Sequence, residues 1–136
     1  LAKALTVYEA FGEGDVPDDG QRYFVVSPAG WADLLQIDQF SRSEYVGEGD
    51  LPYAGGLTAK RWLGFMGFTH SGLSISSTTR DCHAYHKSAV GLAMGSDIRT
   101  EVNYIPEKVS NLITSYMSMG AVMIDNNGAI ECQITE

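Results

Sequence analysis

The chain is short of basic residues, of cysteine and of unbroken apolar runs, and each shortage removes a class of function. Its 136 residues hold nine Lys and Arg against seventeen Asp and Glu, a formal net charge of −8. A protein that binds nucleic acid through phosphates needs clustered cations, and here the few cations are scattered. No apolar stretch approaches the ~18 residues that cross a bilayer as a helix, and no signal-peptide pattern opens the sequence. The two cysteines, Cys82 and Cys132, are too few for a disulfide framework and are read as thiols of a reducing compartment. Internal repeats and low-complexity tracts are absent as well.

What remains is an ordinary globular composition, 44% hydrophobic and 19% charged, in a length that suits one domain. Leu1, Leu5, Val7, Tyr8 and Phe11 mark a helical stripe that begins without a cap residue, as the tail of a longer helix would. The glycine- and acid-rich "GEGDVPDDGQ" that follows is a loop. "RYFVVSP" holds a buried strand over Arg22 to Ser27, and Ser27 also caps a helix with Pro28 at its first position and Trp31, Leu34 and Leu35 on one face. Asp38 to Gly56 loses periodicity and is expected to be an extended surface loop. "LTAKRWLGFMGFTHSGL" predicts one or two strands bent near Gly64 or Gly67. "ISSTTRDCHAY" is a loop or strand edge, "HKSAVGLAM" a short helix, and "SDIRTEVNYI" a strand with an irregular step, stopped by Pro106. "NLITSYMSMGAVMID" and "AIECQITE" are expected to be two long strands joined by a hairpin at Asn126, Asn127 and Gly128. The fold class is therefore α+β.

The only concentration of reactive side chains is "RDCHAYH", with Cys82, His83 and His86. A zinc site takes three or four ligands, but Cys82 and His83 are adjacent, and in a strand adjacent side chains leave opposite faces. Further ligands would have to come from His70, Cys132 or a carboxylate, and the spacing predicts none. Cys82 beside His86 has the ingredients of a thiolate–imidazolium nucleophile but no recognisable oxyanion site or orienting partner. The "GEGD" segments at 12–15 and 47–50 carry acids that repel phosphate, and "DVPDD" lacks the ligand order of a calcium loop. No catalytic, cofactor-binding or metal-binding residue is assigned, and no cofactor is expected.

The order of the elements is more informative. "RYFVVSPAGWADLLQIDQFSRSEYVGEGDLPYAGGLTAKRWLGFMGF" resembles the middle of tailed-bacteriophage major capsid proteins of the Hong Kong 97 fold. The resemblance lies in a strand ending in Ser27–Pro28, a helix opening with Trp31, a long loop, and the pairs Gly64–Phe65 and Gly67–Phe68. "AYHKSAVGLA" resembles that family's histidine-containing helix start, and "IRTEVNYIPEKVSNLITSYMSMGAVMID" its closing strands.

The resemblance implies a capsid-type axial domain, a central mixed sheet flanked by short helices, with a remnant of the peripheral domain. Residues 1–20 would be the end of the spine helix and its exit, 21–95 the axial part, and 96–136 peripheral strands with a C-terminal hairpin. The arm, the extended loop and most of the spine helix would lie upstream of Leu1, making this a truncated core, monomeric or a small oligomer by itself. The implied function is that of a structural subunit, not an enzyme, of a phage or prophage icosahedral capsid. It would meet copies of itself in pentamers and hexamers when full length, bind neither specific nucleic acid nor membrane, and sit in the virion after assembly in the bacterial host cytoplasm. The alternatives are the shell protein of a non-viral nanocompartment, or a metal- or thiol-dependent enzyme using Cys82 and His86.

Overall fold

Two residues four apart, Val7 and Phe11, turn one side of helix α1 (Ala2–Glu13) into the core, where they are 5% and 0% exposed. The computed structural model describes residues 1–42 and 59–135. Leu1, Leu5 and Tyr8 of the same apolar stripe lie on another side of the helix and remain exposed, so the stripe is wider than the contact it makes. Gly14 ends α1, its N–H bonding the Ala10 carbonyl, and Asp15 follows with a left-handed φ of 52°.

Strand β1 (Arg22–Val26) leads into helix α2 (Pro28–Leu35), and the junction is built as its residues predict. The Ser27 hydroxyl accepts the Gly30 N–H at 3.0 Å, while Pro28 occupies a position whose N–H would have no helical partner. Gly30 is required there: an added Cβ would lie 2.4 Å from Ile134 Cδ1 and 2.7 Å from Val26 Cγ1. The absent side chain lets α2 lie close on the sheet. A single further turn, α3 (Asp38–Ser41), brings Phe40 back under Trp31 and Trp62, with edge-to-face ring centroids 5.4 and 5.3 Å apart.

Among the described residues six strands form the main sheet. β2 (Ala59–Trp62) and β3 (Phe65–Thr69) make a hairpin, turned by Leu63 and Gly64 at φ 49° and 78°. Two successive left-handed residues suit the right-handed twist of the flanking strands. A leucine tolerates that conformation here because its side chain packs against the core. β3 runs parallel to β1, and β1 runs antiparallel to β5 (Thr79–His86). β5 also pairs with the short β4 (Ile75–Ser76) and, along nearly its whole length, with β8 (Ala129–Thr135). The sheet is therefore mixed, and the registers place Lys60, Phe65, Phe24, Ala84 and Cys132 on one face, beneath the helices. Tyr23, Val25, Met66, Phe68 and Tyr85 occupy the opposite face and are half-buried.

The remaining strands leave this body. Among the described residues β6 (Val90–Ile105) and β7 (Ser110–Met123) pair only with each other, as an antiparallel ribbon turned at Pro106–Lys108. Two register shifts between Met94 and Arg99 each insert one extra residue into β6. The irregular step expected among Ile98, Val102 and Tyr104 lies earlier: the shifts come before Arg99, and the register from Arg99 to Ile105 is unbroken. The first shift puts Ser96 opposite Ser118 on the other face, and the second restores the alternation, so the even-numbered residues up to Met94 and from Thr100 onward share one face.

Four further expectations are corrected. "HKSAVGLAM" is not a helix: Lys87–Ala89 form one tight turn, and Val90 already starts β6, where glycines at 91 and 95 suit an extended chain better than a helix. "DCHAY" is neither loop nor edge, since β5 is bonded on both sides. β7 and β8 form no hairpin. The Asp125 carboxylate accepts the Asn127 N–H at 3.0 Å, and this turn sends the chain from the ribbon back to β5. Finally, Asp38–Ser41 is helical rather than loop, because Phe40 gains burial to 2% exposure, while residues 43–56 of that expected loop lie outside the described residues.

Arg22 joins the two halves of the core. Only 4% exposed, it donates from Nε to the Pro17 carbonyl at 3.1 Å and from Nη2 to the Val16 carbonyl. Its guanidinium carbon lies 5.6 and 5.9 Å from the ring centroids of Phe11 and Phe65. Replacing Arg22 with Ala is expected to cost about 2–4 kcal/mol, because two buried carbonyls lose a charged donor and two rings lose a cation. Arg22→Lys should restore part of this, since an ammonium lacks the planar fork. Urea denaturation with an unchanged m-value is the check.

Candidate functional site

β5 decides the fate of the reactive cluster. Successive residues alternate across the sheet, so Cys82, Ala84 and His86 point under the helices while His83 points to the other face. Cys82 and His86 share a face but are four residues apart, about 13 Å along a strand. That separation rules out a thiolate–imidazolium pair. His70 stands beyond the end of β3, where its Nδ1 accepts the Gly72 N–H at 3.0 Å. Among the described residues no three His, Cys, Asp or Glu side chains group to hold a metal ion.

Cys132, by contrast, is the direct cross-strand partner of Cys82. Neither is in a disulfide. The bond from the His86 N–H to the Gly128 carbonyl, 2.8 Å, marks that opposed pair as hydrogen-bonded. By the two-residue alternation of an antiparallel ladder, the Cys82–Cys132 pair is hydrogen-bonded too. Opposed Cβ atoms in such pairs lie near the wide end of their range, about 5.5 Å, against roughly 3.8 Å in a disulfide. The thiols face each other without the geometry to join. Burial also pushes the Cys132 thiol above its usual range, with Lys3 opposing weakly.

His86 instead belongs to a network that no local spacing reveals. Its Nε2 lies 3.0 Å from Asp19 Oδ1, 67 residues away in sequence, and its Nδ1 lies 2.7 Å from Ser88 Oγ. The Ser88 N–H also approaches Nδ1, at 3.3 Å, which assigns the acceptor role to Nδ1 and leaves Nε2–H to donate to Asp19. An acid, a histidine and a serine in line resemble a hydrolase triad. Here, however, the imidazole is 4% exposed, and its Nδ1 closes the turn that follows β5. The arrangement clamps the acidic loop to the sheet. Asp19 is held below the usual carboxylate range, first by the His86 hydrogen bond and then by the Gln21 N–H. Other parts of "DVPDD" are engaged with the protein: Asp18 faces Arg22 at 4.0 Å, and the Val16 and Pro17 carbonyls serve the same guanidinium.

The larger chemical feature is the ribbon. All fourteen residues of β7 are exposed. The register with β6 gathers Val90, Leu92, Met94, Val102, Tyr104, Ile113, Met117, Met119 and Met123 on one face, each 40% to 67% exposed. None of the residues paired in register on that face is charged. Arg99, Glu101, Asn103, Thr114 and Tyr116 lie on the other, where the Tyr116 hydroxyl donates to the Glu101 carboxylate at 3.0 Å. Four of the five methionines of the chain lie on the apolar face. The sequence contains this alternation, but the expected helix over 86–94 concealed where it begins.

Two measurements test the buried groups. A folded-state pKa below the unfolded value means that the Asp19 contribution to stability is present above about pH 3.8 and is lost as pH falls through the depressed folded pKa. Asp19→Asn should lower the melting temperature at neutral pH, and the two curves should converge in acid below that range. A chromogenic disulfide reagent should find almost no reactive thiol in the folded protein and both in guanidinium, since Cys82 is 0% and Cys132 9% exposed.

Among solved structures, the chain is similar to a chain in the capsid structure of the cyanophage P-SCSP1u, with a TM-score of 0.69 and 20% identity. That match covers 96% of this chain and 45% of the cyanophage chain, so this chain spans less than half of it. No curated protein matches. The family model described as phage capsid protein matches residues 1–136. An α+β body with a mixed sheet, an apolar ribbon face and a family match over every residue lead to one conclusion: the chain belongs to the phage capsid protein family.

Proposed function

We propose that this chain is a structural subunit of a phage capsid, acting by assembly with copies of itself rather than by catalysis. The observation that carries the reading is the ribbon, whose second strand has fourteen consecutive exposed residues and one of whose faces gathers nine large apolar side chains. A solitary two-stranded ribbon is marginal in water, and monomers rarely expose an apolar patch of this extent. Membership of the phage capsid family supplies the setting in which such a surface is covered. The similar cyanophage chain, taken from a capsid, supports the same reading at the level of fold.

Within this reading, residues 1–20 correspond to the exit of a spine helix, 21–95 to an axial domain, and 96–136 to the peripheral part. The long ribbon supports this division by leaving the body, although β8 returns to the main sheet. The whole protein would sit in the virion after assembly in the host cytoplasm, with pentamers and hexamers as its capsomers. The acidic balance suits a wall along which DNA must move without adhering. Electron microscopy of the full-length gene product tests the proposal. Icosahedral particles are expected, and a persistent monomer with enzymatic turnover would overturn it.

A further inference from the structure

The chain crosses between the main sheet and the ribbon twice, and the two crossings are bonded together. The Ala89 carbonyl accepts the Ile124 N–H at 2.8 Å and the Asp125 N–H at 3.4 Å, while the Gly128 carbonyl accepts the His86 N–H at 2.8 Å. Gly128 is fixed by packing, since an added Cβ would lie 2.5 Å from Ala89 Cβ. Its predecessor is the exposed Asn127, and the two form the one Asn–Gly pair of the sequence. We propose that Asn127 is a site of spontaneous deamidation, attacked by the Gly128 amide nitrogen, and that the change loosens the joint between ribbon and main sheet. The proposal concerns the chain itself and does not depend on the capsid reading.

Three observations single out Asn127. The first is the nucleophile. Among the described residues the Gly128 N–H has no hydrogen-bond acceptor, and glycine carries no side chain to hinder ring closure. The second is the group attacked: among the described residues no hydrogen bond holds the Asn127 side-chain amide. The third is the contrast with Asn126 in the same turn. Attack there needs the Asn127 nitrogen, whose N–H is donated to the Asp125 carboxylate at 3.0 Å. Asn103 and Asn111 lie in paired strands and are followed by Tyr104 and Leu112. Nucleophile and carbonyl carbon belong to adjacent residues, so the reaction is intramolecular and needs no enzyme. The Gly128 nitrogen bonds to Asn127 Cγ, the Cγ–Nδ2 bond breaks, and ammonia leaves with the former Gly128 amide proton. Water then opens the cyclic imide at either carbonyl, giving an aspartate or an isoaspartate at position 127. Both add a negative charge to the recess that Asn127 shares with Glu13 and Gly14, at the carbonyl end of α1, where the helix dipole opposes it. Isoaspartate also lengthens the backbone by a methylene, between the bonds to Ala89 and His86 that fix the span of this turn.

The site is tested by incubating the folded chain in mildly alkaline buffer made with heavy-oxygen water, then digesting it for mass spectrometry. Residue 127 is expected to show the mass of an amide turned into an acid, with one heavy oxygen, in two chromatographic forms. It should react about tenfold or more faster than Asn126, Asn103 or Asn111. Asn127→Gln, which must close a larger ring, should slow the reaction at this position by about tenfold or more. Modification of Asn127 in urea but not in the folded chain overturns the proposal, because the fold then protects the site. Equal rates at Asn126 and Asn127 also overturn it. Hydrogen exchange at the His86 and Ile124 amides reads the joint. Exchange is expected to be about tenfold or more faster in the purified isoaspartate form than in unmodified protein, and accelerated less in Asn127→Asp, with the β1 amides unchanged in both. An isoaspartate form whose His86 and Ile124 amides exchange at the unmodified rate would sink the loosening and the proposal with it.

Discussion

The body is organised around one buried cation. Arg22 stands at the start of the central strand, and its guanidinium is shared between the Val16 and Pro17 carbonyls and the faces of Phe11 and Phe65. Each contact ties a different element to β1: the loop after α1, α1 itself, and β3. A cation removed from water is costly unless donors and charge are both satisfied, and here carbonyls, aromatic rings and the Asp18 carboxylate at 4.0 Å share that task. Lys60 has a similar role at the opposite edge. It donates to the Phe40 carbonyl, and its ammonium lies 4.4 Å from the centroid of the Phe40 ring. Two of the nine basic residues are thus spent inside the body, which leaves the surface still more acidic.

Against that closed body stands an open ribbon. The main sheet is covered by α1, α2 and α3 on one face, and hydrogen-bond ladders and aromatic contacts join its elements. Among the described residues the ribbon has a ladder but no layer on its apolar face. Hydrogen bonds between two strands maintain the pairing, yet they return too little to offset ordering the chain and exposing methionines and branched aliphatics. The two inserted residues in β6 matter for this reason. Had one residue been inserted instead of two, the distal half of β6 would have turned Val102 and Tyr104 toward the polar face, and the apolar face would have been broken in the middle.

The site chemistry was legible in part. That adjacent Cys82 and His83 diverge follows from any extended conformation, and needs no tertiary information. That Cys82 opposes Cys132, fifty residues on, depends on β8 returning to β5, which local pattern cannot announce. The pairing of His86 with Asp19 has the same character, since a loop and a strand end 67 residues apart meet only once the sheet has formed. The expected helix over 86–94 failed for an instructive reason. Small residues and glycines with a methionine are compatible with either helix or strand, and the partner strand β7 decides between them.

The sequence by itself determined what depends on neighbours along the chain. Ser27 and Pro28 start α2, Gly64 turns a hairpin, Pro106 ends β6, and the scarcity of cations excludes a phosphate-binding surface. The order of those pieces was also enough to show the resemblance to capsid proteins. Only the tertiary structure decided which strands pair, which way β8 runs after the Asp125 turn, and that the apolar residues of 90–124 form an exposed face instead of a core. The physical reason is that strand pairing is a choice among distant partners, made by the whole set of side chains at once. A sequence pattern states that a face is apolar, but not what will cover it.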